Sequence, residues 1–125
     1  MVSRARARRI GDRIREELAA LLQRELSDPR LVMVTVTDVD VDRELAYATI
    51  YITATGSDDR RDEVLGAFEG AAGFIRKQLT ERIRLRHFPR LRFRWDASQT
   101  SGARIDELLE MLEKEKGDEG DTGEA

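Results

Sequence analysis

LVMVTVTDVDVDRELAYATIYITA (31–54) is the stretch that decides the fold. Residues 31–41 are rich in β-branched side chains, with Val32, Val34 and Val36 at every second position, the period of a strand. Residues 45–54 alternate again: Ala46, Ala48, Ile50 and Ile52 fall on one side, and Tyr47, Thr49, Tyr51 and Thr53 on the other. The polar link Asp42-Arg43-Glu44 is short enough to fold the two strands into an antiparallel hairpin. A hairpin with one apolar face needs helices to cover it, and the flanking sequence supplies them.

Upstream, residues 4–26 predict a helix. Ile10, Ile14, Leu18, Leu21 and Leu22 form one stripe, with Arg6, Arg9 and Arg13 opposite. Asp28-Pro29 stops it, because proline disfavours the helical conformation at the residue before it. Downstream, residues 60–84 repeat the helical period through Val64, Leu65, Phe68, Ala71, Ala72, Ile75, Leu79 and Ile83. Pro89 then precedes RLRFRWD (90–96), where Leu91, Phe93 and Trp95 point inward and Arg90, Arg92 and Arg94 outward. A last helix is expected around Ile105, Leu108, Leu109 and Leu112. The order predicts an α+β domain over residues 1–115, with a mixed three-stranded sheet covered by helices. Residues 116–125, KGDEGDTGEA, offer nothing apolar to bury beyond a terminal alanine and predict an acidic disordered tail.

A chain of 125 residues suits one domain. There is no cysteine, so no disulfide framework and no thiolate metal site, and His87 is the only histidine. No apolar run approaches the ~20 residues that span a membrane. The net charge of −3 conceals a sorting of charges. Residues 4–15 hold six arginines against Asp12 alone, and residues 76–94 hold eight bases against Glu81 alone. Residues 106–125 carry nine acids against two lysines. Blocks of like charge point to partners better than a total does.

Catalysis finds little support. Phosphate loops, HExxH and nucleophile motifs are missing, and no cofactor, metal or small-molecule substrate is expected. Asp38, Asp40 and Asp42 read as solvated carboxylates at a strand end, since no calcium-loop spacing accompanies them. Ser98 and Ser101 read as turn residues, and His87 beside Phe88 as partly buried packing. The basic blocks point instead to clustered phosphate neutralisation, the basis of nucleic-acid binding. Arginine suits it, with a permanent charge and a planar fork that grips phosphate oxygens in pairs. The candidate contacts are Arg6, Arg9, Arg13, Arg76, Lys77, Arg84, Arg86, Arg92 and Arg94. Tyr47 and Tyr51 read as packing rather than base stacking, because the aromatic triplet of an RNA-reading sheet is missing. The rival readings are a general RNA-binding module or a protein-interaction module whose basic face meets an acidic protein, and an enzyme of RNA processing, for which the sequence offers no candidate base or metal site.

AAGFIRKQL (71–79) places a glycine inside a helical pattern, at a cost of ~1 kcal/mol relative to alanine. With Ala71 equally small, Gly73 predicts a kink at which the helix breaks, a second helix starting near Phe74. The new N-terminus would offer free amides to an anion, with Arg76 and Lys77 one turn in.

Taken in order, LLQRELSDPRL (21–31), VTVTDVDVDRELAYATIYIT (34–53), AAGFIRKQL (71–79), IRLRHFPRLRFRWDAS (83–98) and GARIDELL (102–109) resemble the ribosome-binding factor A family of bacterial small-subunit assembly factors. The resemblance spans nearly everything before the tail. It implies a type II KH-like fold, with an Ala-x-Gly kink at Ala71-Ala72-Gly73 where other KH domains carry GxxG. It further implies a cytoplasmic, monomeric, non-enzymatic factor. Its partner would be the free small ribosomal subunit near RNA whose ends are still maturing, with importance in the cold.

Overall fold

The computed structural model describes residues 1–55 and 58–97. Their elements are α1 (Arg4–Arg24), β1 (Val34–Val41), β2 (Tyr47–Ala54), α2 (Arg61–Arg82) and β3 (Arg90–Trp95), with short 3₁₀ turns at Pro29–Leu31 and Asp58–Arg60. The helix expected around Ile105, the turn with Ser98 and Ser101, and the acidic tail all lie outside the described residues.

Ser3 starts α1, its side chain accepting from the Arg6 amide at 3.0 Å, which satisfies one of the donors a helix start leaves open. Asp28 opens the Pro29–Leu31 turn by accepting from the Arg30 amide, and Arg30 beside it holds its carboxyl below the usual carboxylate range. The sheet order is β1-β2-β3, with β1 antiparallel and β3 parallel to the central β2. The mixed α+β, KH-like arrangement is therefore present.

The hairpin departs from simple alternation at one point. A bulge between Val36 and Asp38 shifts the register, so the inward series changes from even to odd numbers. Val36, Val39 and Val41 are all buried as a result. The bulge residue Thr37 donates its hydroxyl to the Tyr51 carbonyl at 3.2 Å or the Asp96 carboxylate at 2.6 Å, tying β1 to the end of β3. The strand also begins later than residue 31: Leu31 is buried in the 3₁₀ turn, while Val32 and Met33 are exposed. At the other end, Asp42 Oδ1 accepts from the Ala46 and Tyr47 amides and Leu45 takes a positive φ of 56°.

The helices pack on one face of the sheet, over Ala48, Ile50 and Ile52, which are fully buried. From α1 come Ile10, Ile14, Leu18 and Leu21, and from α2 Val64, Phe68, Ile75 and Leu79. Phe68 meets Phe93 of β3 with ring centroids 5.0 Å apart, a separation that favours aromatic pairs beyond their buried area. His87 does not join this core. It is exposed, and Phe88 and Pro89 turn inward in its place.

The expected break at Gly73 is not present. α2 is one helix of 22 residues from Arg61 to Arg82, and no second N-terminus forms at Phe74. Without a proline the hydrogen-bond ladder has no reason to stop, and Phe68, Ile75 and Leu79 keep the helix seated on the sheet. A Cβ at Gly73 would meet nothing within 4 Å, so a close backbone approach does not explain this glycine.

Candidate nucleic-acid interface

Two helices, the connection between α2 and β3, and β3 itself carry the candidate arginines. On α1, Arg6, Arg9 and Arg13 recur at i, i+3 and i+7 and are exposed opposite the buried stripe. Arg13 reaches α2: its guanidinium donates to the Arg82 carbonyl at 3.1 Å and pairs with Glu17 at 3.1 Å. It thereby caps a carbonyl left open at the end of α2. Arg82 is committed to structure as well, pairing with Glu25 at 3.0 Å and Glu17 at 3.8 Å. This ion-pair cluster fixes α1 beside the connection that carries Arg84 and Arg86, both exposed. Arg6, Arg9, Arg13, Arg84 and Arg86 thus belong to the helix-bearing side of the sheet.

Arg92 and Arg94 lie on the other side. The parallel register sets Tyr47 beside Arg90, Thr49 beside Arg92 and Tyr51 beside Arg94, and alternation points all six away from the helices. Across β2, Asp38 pairs with Tyr51 and Asp40 with Thr49. The open face is therefore ruled in three rows: acids on β1, Tyr and Thr on β2, arginines on β3. Arg92 stacks its guanidinium over the Tyr47 ring, 4.1 Å from the centroid, which holds the cation in place. Tyr47 is half-buried by this contact, in keeping with packing rather than a free stacking platform.

Arg76 and Lys77 lie on α2, on the helix-bearing side of the sheet. Arg76 donates to the Phe88 carbonyl at 3.4 Å and sits 5.9 Å from the Phe88 ring centroid. With Ala72, Gly73, Arg90 and Leu91 it lines a hollow of about 380 Å³. Sequence reasoning left Arg90 out of the candidate contacts, although its place in the RLRFRW alternation was the available signal. It also left out Gly11, whose close approach to β1 no sequence pattern reveals. The amide-lined anion site expected at Phe74 has no counterpart, since those amides bond within α2.

Among the candidate cations, the side chains of Arg6, Arg9, Lys77, Arg84, Arg86 and Arg94 make no hydrogen bond or ion pair with the described residues. Asp38, Asp40 and Asp42 do not converge: among the described residues no group of three His, Cys, Asp or Glu side chains is placed to hold a metal ion. No described helix is long and apolar enough to cross a membrane.

Such a chain defines a class: a small KH-like α+β domain presenting, on both sides of its sheet, cations unpaired among the described residues. The sequence model described as "Ribosome-binding factor A" matches residues 6–109. The Chromohalobacter salexigens ribosome-binding factor A is 50% identical over 107 residues, covering 84% of this chain and 82% of that one. Among solved structures, the crystal structure of ribosome-binding factor A from Thermus thermophilus superposes with a TM-score of 0.63 at 27% identity, covering 71% of this chain and 93% of that one. A homology model of the Thermus thermophilus protein, fitted into a cryo-EM map of a 30S–RbfA complex, gives 0.59 at 27% identity over 72% of this chain and 94% of that one. The chain belongs to the ribosome-binding factor A family.

Proposed function

We propose that this chain is a cytoplasmic, non-enzymatic assembly factor that binds the free small ribosomal subunit. It supports late maturation of the ribosomal RNA, including processing of the precursor ends, and matters most at low temperature. Binding preferentially to one arrangement of the RNA shifts the subunit toward it without catalysis. The observation that carries this reading is the set of cations unpaired among the described residues, on a chain whose relative is fitted into a 30S complex. Arg84 and Arg86 on the connection, Arg94 on the sheet and Lys77 on α2 are exposed. They are free to meet phosphates, and the domain acts as a monomer.

The test is co-sedimentation of purified protein with purified small subunits across a salt series. If roughly five cations engage phosphates, log affinity falls against log salt with a slope of about −3 to −5. A flat response would remove phosphate binding from the mechanism. Protein that sediments with subunits stripped of accessible RNA by nuclease would point to a ribosomal protein as the partner instead.

A further inference from the structure

A cleft of about 580 Å³ runs between the C-terminal half of α1 and the start of β1. Its wall carries an apolar strip, Leu22 of α1 and Leu26 just beyond it with Leu31 and Val34, among polar residues that include Gln23, Ser27 and Thr35. Beside it Val32 is 56% and Met33 63% exposed. The large exposed hydrophobics among the described residues are Met1, Val32, Met33 and Phe74, and of these Val32 and Met33 alone adjoin one another. Met33 holds its apolar side chain outward from a backbone with φ of 63°, a conformation that side-chain-bearing residues rarely adopt. Phosphate contacts explain none of this.

We propose that residues 104–112 of this same chain occupy the cleft, seating Ile105, Leu108, Leu109 and Leu112 against it. Those four positions recur at i, i+3, i+4 and i+7, the spacing of one helical face. The described chain leaves the sheet at the right end. Because β3 is parallel to β2 and β1 antiparallel, Ala97 follows β3 at the end where β1 begins. Asp96 is fixed there by the Ile52 carbonyl and the Thr37 hydroxyl. Two strand spacings, about 10 Å, separate β3 from β1. The eight residues from Ala97 to Ile105 reach about 26–29 Å when extended, so the span is easily made. Charge is compatible: Arg15 lines the cleft and can meet Asp106, Glu107 or Glu110 of the segment, while Asp28, which lines it too, is already paired with Arg30. The family match also runs to residue 109, past the described fold.

The chain has no cysteine, so a designed pair reports alone. The isolated chain bearing Met33→Cys and Leu108→Cys is oxidised mildly beside a control bearing Phe74→Cys and Leu108→Cys. The expected result is an intramolecular disulfide forming at least tenfold faster in the first pair. Equal rates overturn the proposal, and so does a disulfide between two molecules, which would assign the cleft to a second copy. In the cysteine-free chain, Leu108→Asp with Leu112→Asp should raise amide exchange across residues 31–36 at least tenfold. Unchanged exchange there overturns the proposal equally. No ribosomal component is present, so failure here leaves the proposed function standing.

Discussion

The backbone of α1 at Gly11 lies so close to β1 that a methyl group built there would stand 2.5 Å from the Val39 carbonyl oxygen. That distance is well inside contact, and the atom it meets is backbone, which cannot swing aside. Gly11→Ala gains up to ~1 kcal/mol of helix propensity but must push α1 off the strand, and overpacking of this kind costs about 1–3 kcal/mol. The clash is expected to win. A denaturant titration should show a net loss of stability, with the midpoint lowered and the slope unchanged.

Asp42 offers a second test, in the hairpin turn. One carboxylate oxygen accepts from two backbone amides, Ala46 at 2.7 Å and Tyr47 at 3.1 Å. Asp42→Ala leaves both donors to water while Leu45 must still hold its positive φ. A loss of about 1–2 kcal/mol is expected, measured by thermal melting. Asp42→Asn, which keeps an acceptor, should recover most of it.

How much of this was legible in the sequence follows from where each feature originates. The hairpin and the inward face of β3 could be read because alternation is a local property. The bulge was missed, although the change from Val34 and Val36 to Val39 and Val41 records it. Gly73 and Gly11 show the limit most plainly. A sequence shows that a glycine interrupts a helical pattern, but not what stands opposite it. The conspicuous glycine faces open space, and the inconspicuous one meets a carbonyl. The arginine rows could likewise be read, whereas their division between two sides of the sheet depends on packing that no local pattern states.

That division makes two arginines separable. Arg13 caps the Arg82 carbonyl and pairs with Glu17, so Arg13→Ala should cost about 0.5–1 kcal/mol of stability. Arg94 is exposed and has no such partner among the described residues, and Arg94→Ala should alter stability by no more than about 0.5 kcal/mol. If Arg94 meets a phosphate, its loss should flatten the salt slope of small-subunit binding by about 1. A slope equal to the parent's would take the open sheet face out of the RNA contact.

The acidic tail is expected to compete with RNA for the same cations. Deleting residues 117–125 should leave the melting temperature within a degree or so of the parent, since the segment has almost nothing apolar to bury. Nonspecific RNA binding should tighten modestly, most clearly at low salt where charges are least screened. A fall of many degrees would show that these residues belong to a folded element.

Gly73 closes the account of α2. It lies exposed within an unbroken helix, with nothing within 4 Å of where a side chain would begin. Gly73→Ala should therefore stabilise the protein by roughly 0.5–1 kcal/mol, the propensity gain undiminished by any clash. Gly66 faces equally open space, so Gly66→Ala should gain a similar amount, and the two should add because they lie two turns apart. Binding then separates the glycine from the cations beside it. If no kink positions Arg76 and Lys77, Gly73→Ala should sediment with small subunits within twofold of the parent. Lys77→Ala, which removes an ammonium unpaired among the described residues, should bind more weakly at unchanged stability. Melting curves and the salt series supply both readings on the same preparations. A Gly73→Ala protein that loses stability would mean that the helix bends in solution. One that gains stability yet binds many-fold more weakly would mean that the hollow beside Arg76 and Arg90 receives part of the partner.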